Sequence, residues 1–321
     1  MRLRLVPDET NWDFMKLRHW TFGASVVAMI ASLLIWLFVG LNFGIDFLGG
    51  TTIRTESTQA VDVGAYRDAI SPLELGDVSI TEVFDPSFRD DQNVAQIRIQ
   101  SQDGAEAVTS GTIDAVEAAL KEVDPSITFP SVESVGPKVS GELILTAFLA
   151  VGASLVAILF YIWLRFEWQF SVGAVAALFH DVILTIGVFS VLQIRFDLAT
   201  IAAILTIIGY SINDTVVIFD RLRENLIKFK KTPLIDIMNR SVNETLSRTL
   251  MTSGTTLIAL LALLVLGGDV IRGFVFAIFW GIIVGTYSSV YVAKNVVLML
   301  GLDREPKAPS GAGTQFADID A

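Results

Sequence analysis

Six long apolar stretches alternate with polar segments along the chain. Each is nearly free of charged side chains and long enough to cross a bilayer core, which takes about 20 residues of helix. The first is too long for a signal peptide and lacks a small-residue cleavage pattern, so it is expected to be a retained anchor. The pattern predicts membrane spans at residues 21–41, 140–164, 169–192, 198–220, 249–268 and 273–300.

The segment between the first two spans, residues 42–139, is predicted to fold as a separate domain. Turn signals at Gly76-Asp77 and Asp90–Asn93 divide it into short elements. Their order of strand, helix, strand, strand, helix, strand is that of a ferredoxin-like α+β domain. The predicted strands are 51–55, 78–83, 94–100 and 127–135, and the predicted helices are 61–70 and 105–123.

The loop at 221–248 is predicted to contain an amphipathic helix at the membrane surface. Thr232 and Pro233 have the residue types of an N-cap and a first helical residue. The segment 301–321 is polar, contains Pro and Gly, and is predicted to be disordered. One face of the predicted helix is formed by Leu234, Ile237, Met238, Ser241, Val242 and Thr245.

The distribution of Lys and Arg predicts the orientation in the membrane. Fifteen lie in segments on the same side as the N-terminus, and the short loops on the other side hold two, Arg195 and Arg272. Because positively charged segments stay in the cytoplasm, residues 1–20, 221–248 and 301–321 are expected to be cytoplasmic. The 42–139 domain is then extracytoplasmic.

Composition and charge exclude several classes of protein. The chain is 52% hydrophobic, too apolar for a typical soluble enzyme. It contains no cysteine, which excludes disulfides and thiolate metal sites, and only two histidines, which argues against a histidine-rich metal site. The net charge of −11 resides in residues 42–139, which hold 17 acids and 6 bases. No basic patch with interleaved aromatics indicates nucleic-acid binding.

Asp214 in the fourth span is the first candidate for chemistry, because an intramembrane carboxylate is costly unless it faces protein or water. Arg248, at the start of the fifth span, is its expected partner at similar depth. The pair is either a static ion pair or a titrating site, in which burial favours the neutral acid and the guanidinium favours the charged one. A polar stripe is expected to face the bundle and an apolar stripe the lipid, formed respectively by Thr206, Tyr210, Asn213, Asp214 and Val217, and by Ile204, Ile208, Ile212, Val216 and Phe219.

His180 and Asp181 in the third span leave two interpretations open. They either join a proton path, or Asp181 holds helices together by hydrogen bonds beside a neutral histidine. In the sixth span, small residues at Gly281, Gly285 and Ser289 predict a helix-packing seam.

Asp46, Gly49 and Gly50 follow the first span. The two glycines provide conformational freedom where a helix passes into a strand, which indicates a hinge. Asp46 either caps a helix or lines a proton entrance.

Five sequence blocks stand out along the chain: FGIDFLGGT (43–51), LFHDVILTIG (178–187), GYSINDTVVIFDRLREN (209–225), SVNETLSRTLMTSGTT (241–256) and GTYSSVYVAK (285–294). Together they resemble the SecF family, the membrane subunits of the bacterial SecDF protein-export complex. The resemblance implies half of an RND-type bundle in the cell inner membrane, which uses the proton-motive force to assist protein export. The implied partners are SecD, the SecYEG translocon with accessory Sec subunits, the preprotein and membrane lipids. Protons are the coupling ion, and no cofactor or metal is implied. Asp214 corresponds to the proton-carrying residue and Arg248 to its basic partner, with Ser211 and Asn213 shaping the path.

Two alternative functions agree less well with the sequence. An RND-type transporter of small molecules or lipids would need a wide apolar pocket in the extracytoplasmic domain, which here is small and acidic. An intramembrane aspartyl protease would need Asp181 and Asp214 to meet, but the two residues are expected at different depths. Asp214 also lies in the sequence SIND and not in a Gly-x-Gly-Asp context. The chain is therefore not expected to be an enzyme.

Overall fold

The computed structural model describes residues 10–86, 88–100 and 109–302. Six of its helices are long and apolar enough to cross a membrane, which confirms the predicted fold class. The helices are α1 (Arg18–Val39), α2 (Ile45–Leu48), α3 (Val63–Ile70), α4 (Ser110–Val123), α5 (Pro137–Arg165), α6 (Trp168–Leu192), α7 (Leu198–Lys228), α8 (Leu234–Leu266), α9 (Asp269–Ser288) and α10 (Lys294–Leu300). The strands are β1 (Asn42–Phe43), β2 (Gly50–Ser57), β3 (Val78–Val83), β4 (Asn93–Gln100), β5 (Thr128–Val135) and β6 (Arg195–Phe196).

Three of the six spans form the centre of the bundle. In α6, α7 and α9 with α10, between 39% and 44% of the most apolar stretch is buried within the chain, against 6–11% in α1, α5 and α8. Helices α9 and α10 are parts of one span, joined by a π-helical turn at Ser289–Ala293. The outer helices therefore present most of their apolar surface to lipid or to another subunit.

Residues 42–139 form a small mixed domain, called here the α/β domain. Its sheet has the strand order β3-β4-β2-β5 with every neighbouring pair antiparallel, which is the ferredoxin-like arrangement. The strands and helices α3 and α4 share one apolar core, to which Ile53, Ile97, Ile99, Val116 and Leu120 contribute fully buried side chains. Alternating apolar positions on the strands and the helical periodicity of α3 and α4 meet in this core.

The boundaries in this domain differ little from those predicted. Helix α4 begins at Ser110 because the Thr109 side chain caps it by accepting from Thr112 N. Residues 105–108 of the predicted helix lie outside the described residues, as does most of the predicted disordered tail, of which only Gly301 and Leu302 are described.

The structure corrects the prediction of a separate surface helix in the 221–248 loop. Helix α7 continues to Lys228, and α8 begins at Leu234 and runs without interruption through the fifth span. The segment 234–253 contains no Gly or Pro, so nothing interrupts the helical hydrogen bonds. Its apolar face is buried in protein and not laid on the membrane, because Ile237 and Met238 pack in the bundle core and Val242 packs against Ile218 and Val290.

Asp124, which follows α4, accepts hydrogen bonds from Ser57 at the end of β2 and from Ser126 just before β5. It is 3% exposed and accepts from Ser57 Oγ, from Ser126 N at 2.8 Å and from Ser126 Oγ at 2.7 Å. Burial acts to raise the pKa of Asp124, but the hydrogen bonds from Ser57 and Ser126 outweigh it, so the pKa lies below its ordinary value.

We expect Asp124→Asn to lower the stability of the α/β domain by about 1–3 kcal/mol at neutral pH, since charge-assisted hydrogen bonds are lost. A carboxylate with a depressed folded-state pKa contributes stability above its unfolded pKa, and this contribution is lost as pH falls through the folded pKa. The variant and parent should therefore converge in acid. Denaturant-dependent hydrogen exchange of the β2 amides in the full chain, corrected for intrinsic rates, measures the difference.

Asp114→Asn is the matched control, because Asp114 lies on the exposed side of α4. It should leave the exchange rates unchanged at either pH. A stability difference between parent and Asp124→Asn that stayed constant from neutral to acidic pH would contradict the assignment.

Candidate functional site

Helix α7 carries the central candidate residues and is one uninterrupted rod. Its N-terminus has a capping box, in which Asp197 accepts from Thr200 N at 3.0 Å and Thr200 Oγ1 accepts from Asp197 N at 3.3 Å. Its 31 residues contain no proline, so no backbone hydrogen bond is lost inside it. The helix thus sets the relative heights of Ser211, Asn213 and Asp214.

Asp214 lies at the contact of three helices. Its side chain is 3% exposed and its Oδ2 accepts one hydrogen bond, from Ser253 Oγ of α8 at 3.4 Å. Ser253 Oγ is in turn 2.8 Å from Thr286 Oγ1 of α9. Among the described residues, this single long hydrogen bond is the only one that the carboxylate receives.

Arg248 does not form the expected ion pair with Asp214 in this conformation. It is near enough to act on the carboxylate electrostatically, but no nitrogen–oxygen pair of the two lies within 4.0 Å. Arg248 is exposed, whereas Ser253, five residues further along α8, faces Asp214. Five residues of helix turn the side chain by about 140°, so both cannot face Asp214 at once.

Asp181 is bonded far more completely than Asp214. It accepts from His180 Nδ1 at 2.9 Å, from Ser211 Oγ of α7 at 2.6 Å and from Ser288 Oγ of α9 at 2.9 Å. Both His180 and Asp181 are buried, at 0% and 1% exposed. The carboxylate therefore joins α6, α7 and α9 through hydrogen bonds. The donors of Asp181 and Asp214 are different: His180, Ser211 and Ser288 for the first, and Ser253 for the second.

The predicted packing seam of α9 is present. A side chain added at Gly281 would clash with Ile207 of α7, and one at Gly285 would lie 3.1 Å from Ser211 Cβ. Ser289 begins the π-helical turn, and its Oγ is 3.1 Å from Thr215 Oγ1 of α7. Close approach of α7 and α9 lets Ser288 Oγ of α9 bond to Asp181, and Thr286 Oγ1 of α9 bond to Ser253, which in turn contacts Asp214.

The predicted orientation of α7 is wrong in part. Asp214 is buried as expected, but Thr206 and Asn213 of the polar stripe are exposed in the isolated chain. The apolar stripe is not turned to lipid, because α7 is central and this side packs against α6 and α9. Its most buried members are Ile204, Ile208 and Phe219, at 3%, 1% and 0% exposed.

Lys294 is a buried charged residue that the sequence analysis did not single out. It is 0% exposed, and its Nζ lies 5.5 Å from the Phe14 ring centroid and 5.7 Å from that of Tyr291. Within the described part of the chain, Nζ has no hydrogen-bond partner. The available signal was its position inside a predicted span, where ionisable residues are rare.

No group of three or more His, Asp or Glu residues within the described ranges could hold a metal ion. The buried polar side chains of the bundle are mainly hydroxyls, amides and carboxylates, together with His180 and Lys294. Such groups can exchange protons and hydrogen bonds.

The family described as "Protein export membrane protein SecD/SecF, C-terminal" matches residues 115–303. The protein translocase subunit SecF of Cereibacter sphaeroides is 68% identical over 321 residues, which cover 100% of this chain and 99% of that protein. The chain belongs to the SecD/SecF family. The SecF of Vibrio alginolyticus is 40% identical over 318 residues, covering 99% of this chain and 98% of that protein. As a SecF subunit of the Sec translocase, this family member is a transport protein and not an enzyme, as predicted.

Solved SecDF structures have the same fold. The crystal structure of SecDF from Thermus thermophilus matches with a TM-score of 0.81 and 35% identity over 94% of this chain. A SecDF structure in a super-membrane-facing form matches with a TM-score of 0.69 and 36% identity. The first match spans 40% of the SecDF chain, so this SecD/SecF family member corresponds to less than half of that protein.

The SecD/SecF GG motif matches residues 35–61, which include the predicted hinge. Gly49 and Gly50 have φ of +73° and +137°, conformations that favour glycine. Asp46 caps a helix, as one interpretation expected, and that helix is α7: its Oδ2 accepts from Leu198 N at 3.0 Å. The motif of the SecD/SecF family thus lies at the junction of the α/β domain with the central helix.

Proposed function

We propose that this chain works with SecD to promote late steps of preprotein export across the inner membrane, using the proton-motive force. The observation that supports it most is the contrast between the two buried carboxylates. Asp181 accepts three hydrogen bonds of 2.6–2.9 Å, whereas Asp214 accepts one of 3.4 Å. A carboxylate with few bonds loses little when it is protonated, so Asp214 is suited to change its charge.

SecD is the expected partner at the exposed polar face of the bundle. This face comprises Thr206, Gly209 and Asn213 of α7 with Arg248, Thr252 and Thr255 of α8, all exposed in the isolated chain. Polar and small side chains at membrane depth are stable when another helix covers them. A second six-span subunit on this face would enclose Asp214 between the two halves of a twelve-span unit.

The proton step follows from the surroundings of Asp214. Uptake of a proton from the extracytoplasmic side neutralises the carboxylate and removes its attraction for Arg248, so α8 can shift relative to α7. Release to the cytoplasm restores the charge. Ser211, Asn213, His180 and Asp181 are proposed to shape the proton path, with Asp181 as a fixed acceptor and Asp214 as the carrier.

The orientation and the other partners belong to the same proposal. The excess of Lys and Arg on one side supports cytoplasmic termini and an extracytoplasmic α/β domain. The translocon SecYEG, its accessory subunits and the emerging preprotein are then the expected partners outside the bundle. The α/β domain would act on the preprotein after it leaves the translocon.

Reconstitution tests the proposal. Proteoliposomes with the translocon and SecD, with or without this chain, are exposed to an imposed proton gradient. We expect proton movement and the gradient-dependent part of preprotein export only when the chain is present. Equal proton movement in vesicles that contain SecD without this chain would refute the proposal.

A further inference from the structure

The root of the α/β domain is bonded directly to the N-terminus of α7. Asp46 of the short helix α2 accepts from Leu198 N at 3.0 Å, across 152 residues of sequence. The first N–H groups of a helix have no partner within the helix, so an acceptor from elsewhere is needed. Asp46 supplies one, and so joins α2 to the helix that carries Asp214.

Further contacts fix α2 in this place. Gly44 N donates to Phe196 O at 2.8 Å, and β1 pairs with β6 in parallel. The rings of Phe43, Phe47 and Phe196 lie 5.7–6.0 Å apart. The segment before α7 and the segment around α2 therefore form one packed unit.

One chain connection between the α/β domain and the bundle passes through α2, and the other contacts α2. The first connection runs from α2 through Gly49 and Gly50 into β2, and the positive φ values place a pivot there. The second runs from β5 into α5, where Ser140 Oγ donates to Ile45 O at 3.3 Å. Movement of α2 is thereby transmitted to both connections.

Helix α7 can carry movement from the carboxylate to this unit. Asp214 lies 16 residues after Leu198, which corresponds to about 24 Å along the helix axis. A continuous helix rotates or shifts as a rod, so a change at Asp214 displaces its N-terminus. The Asp46 bond joins the first residue of α7 directly to α2, whereas the β1–β6 pairing reaches only the segment before α7.

Asp197 also caps α7, but it is not part of α2. It also accepts from the N-terminus of α7, from Thr200 N at 3.0 Å, but it precedes α7 directly. Removing either carboxylate costs a capping interaction of about 1 kcal/mol, and Asp197→Ala also loses the ion pair with Arg195 at 3.2 Å. Of the two carboxylates, only Asp46 lies on α2, where the chain enters the α/β domain.

We infer that Asp46 is a positioning residue that couples movement of α7 to the α/β domain. The inference rests on the proposed function and adds the residue through which the bundle moves that domain. Asp46 does not carry protons in this role. Its loss should therefore separate proton movement from export.

The test uses the complete complex with SecD and the translocon in proteoliposomes. Because the chain has no cysteine, labels can be placed at engineered cysteines, Gln59→Cys in the α/β domain and Leu192→Cys at the end of α6, both exposed positions. Proton movement, export, and the label distance with and without a proton gradient are measured. For Asp46→Ala we expect parental proton movement, no gradient-dependent change in distance, and a loss of gradient-dependent export of about tenfold, a typical coupling effect.

Two further variants and one control make the result specific. Leu198→Pro removes the donor of the same bond while keeping α7 intact, since proline is favoured at the first helical position, and should behave like Asp46→Ala. Asp46→Asn keeps an acceptor oxygen and should behave like the parent. Asp197→Ala is the control and should keep the change in distance.

Each outcome decides the inference. A parental change in distance in both Asp46→Ala and Leu198→Pro would overturn it, as would an equal loss in Asp197→Ala, which would indicate a general effect of helix-end stability. Absence of proton movement in the parent complex would instead overturn the proposed function, and that result is visible before any variant is compared. If Asp46→Ala does not assemble, Leu198→Pro decides.

Discussion

Asp214→Asn is expected to abolish proton movement through the SecDF complex while leaving the chain folded. Asparagine has nearly the same shape and keeps an oxygen that can accept from Ser253 Oγ, now 3.4 Å from the carboxylate. It cannot release a proton, so the cycle stops in the neutral state. Removal of a positioned proton-transfer group typically costs about 10²-fold or more, and gradient-dependent export should fall accordingly. Proton flux and preprotein export in the same proteoliposomes measure both effects.

Asp220→Asn is the matched control for this experiment. It makes the same chemical change six residues further along α7, at a side chain that is 46% exposed and pairs with Arg165 at 3.0 Å. Exposed ion pairs contribute little, about 0–1 kcal/mol, so proton flux should stay near the parental value. Retained flux in Asp214→Asn, or an equal loss in Asp220→Asn, would exclude Asp214 as the proton carrier.

Substitution of Asp181 is expected to lower the stability of the complex, in contrast to substitution of Asp214, which should stop proton movement in a folded chain. Asp181→Ala leaves His180 Nδ1 and Ser211 Oγ without their acceptor in the centre of the bundle, and leaves Ser288 Oγ with only Gly285 O at 3.1 Å. Each unsatisfied buried group costs about 1–3 kcal/mol, so the assembled complex should unfold at a markedly lower temperature. Thermal unfolding of the complex in detergent measures the loss.

Asp181→Asn separates the two interpretations of this residue. Its oxygen can accept from the two serines and its amide nitrogen can donate to a histidine tautomer with an unprotonated Nδ1. If Asp181 acts as a fixed clamp, stability and proton flux should both stay near the parental values. A stable Asp181→Asn complex without proton flux would show instead that Asp181 itself transfers protons.

Much of the fold was predictable because its signals are local. An apolar stretch of about 20 residues indicates a span regardless of its neighbours. The succession of strands and helices in the α/β domain was predictable with the help of turn residues such as Gly76 and Asp77. The continuation of α8 was missed because 234–248 is more polar than a span, although the segment contains no residue that would end a helix.

The orientation of α7 was less accessible to sequence reasoning. A polar side of a membrane helix can face its own bundle or another subunit, and both satisfy the same periodicity. The stripe at Ile204 and Ile208 suits lipid and a protein core equally well. The position of α7 among α6, α8 and α9 decides which side of the helix faces the core of this chain.

Sequence alone determined the six spans, the ferredoxin-like domain, the family and the presence of an intramembrane acid at Asp214, because these depend on residue type and spacing. Only the tertiary structure decided that Ser253 and not Arg248 contacts Asp214, that Asp181 joins three helices, and that Asp46 caps α7. Each of these contacts joins residues distant in sequence, and its geometry depends on how whole helices are rotated against one another. That rotation is set by packing over the entire bundle, which no single stretch of sequence encodes.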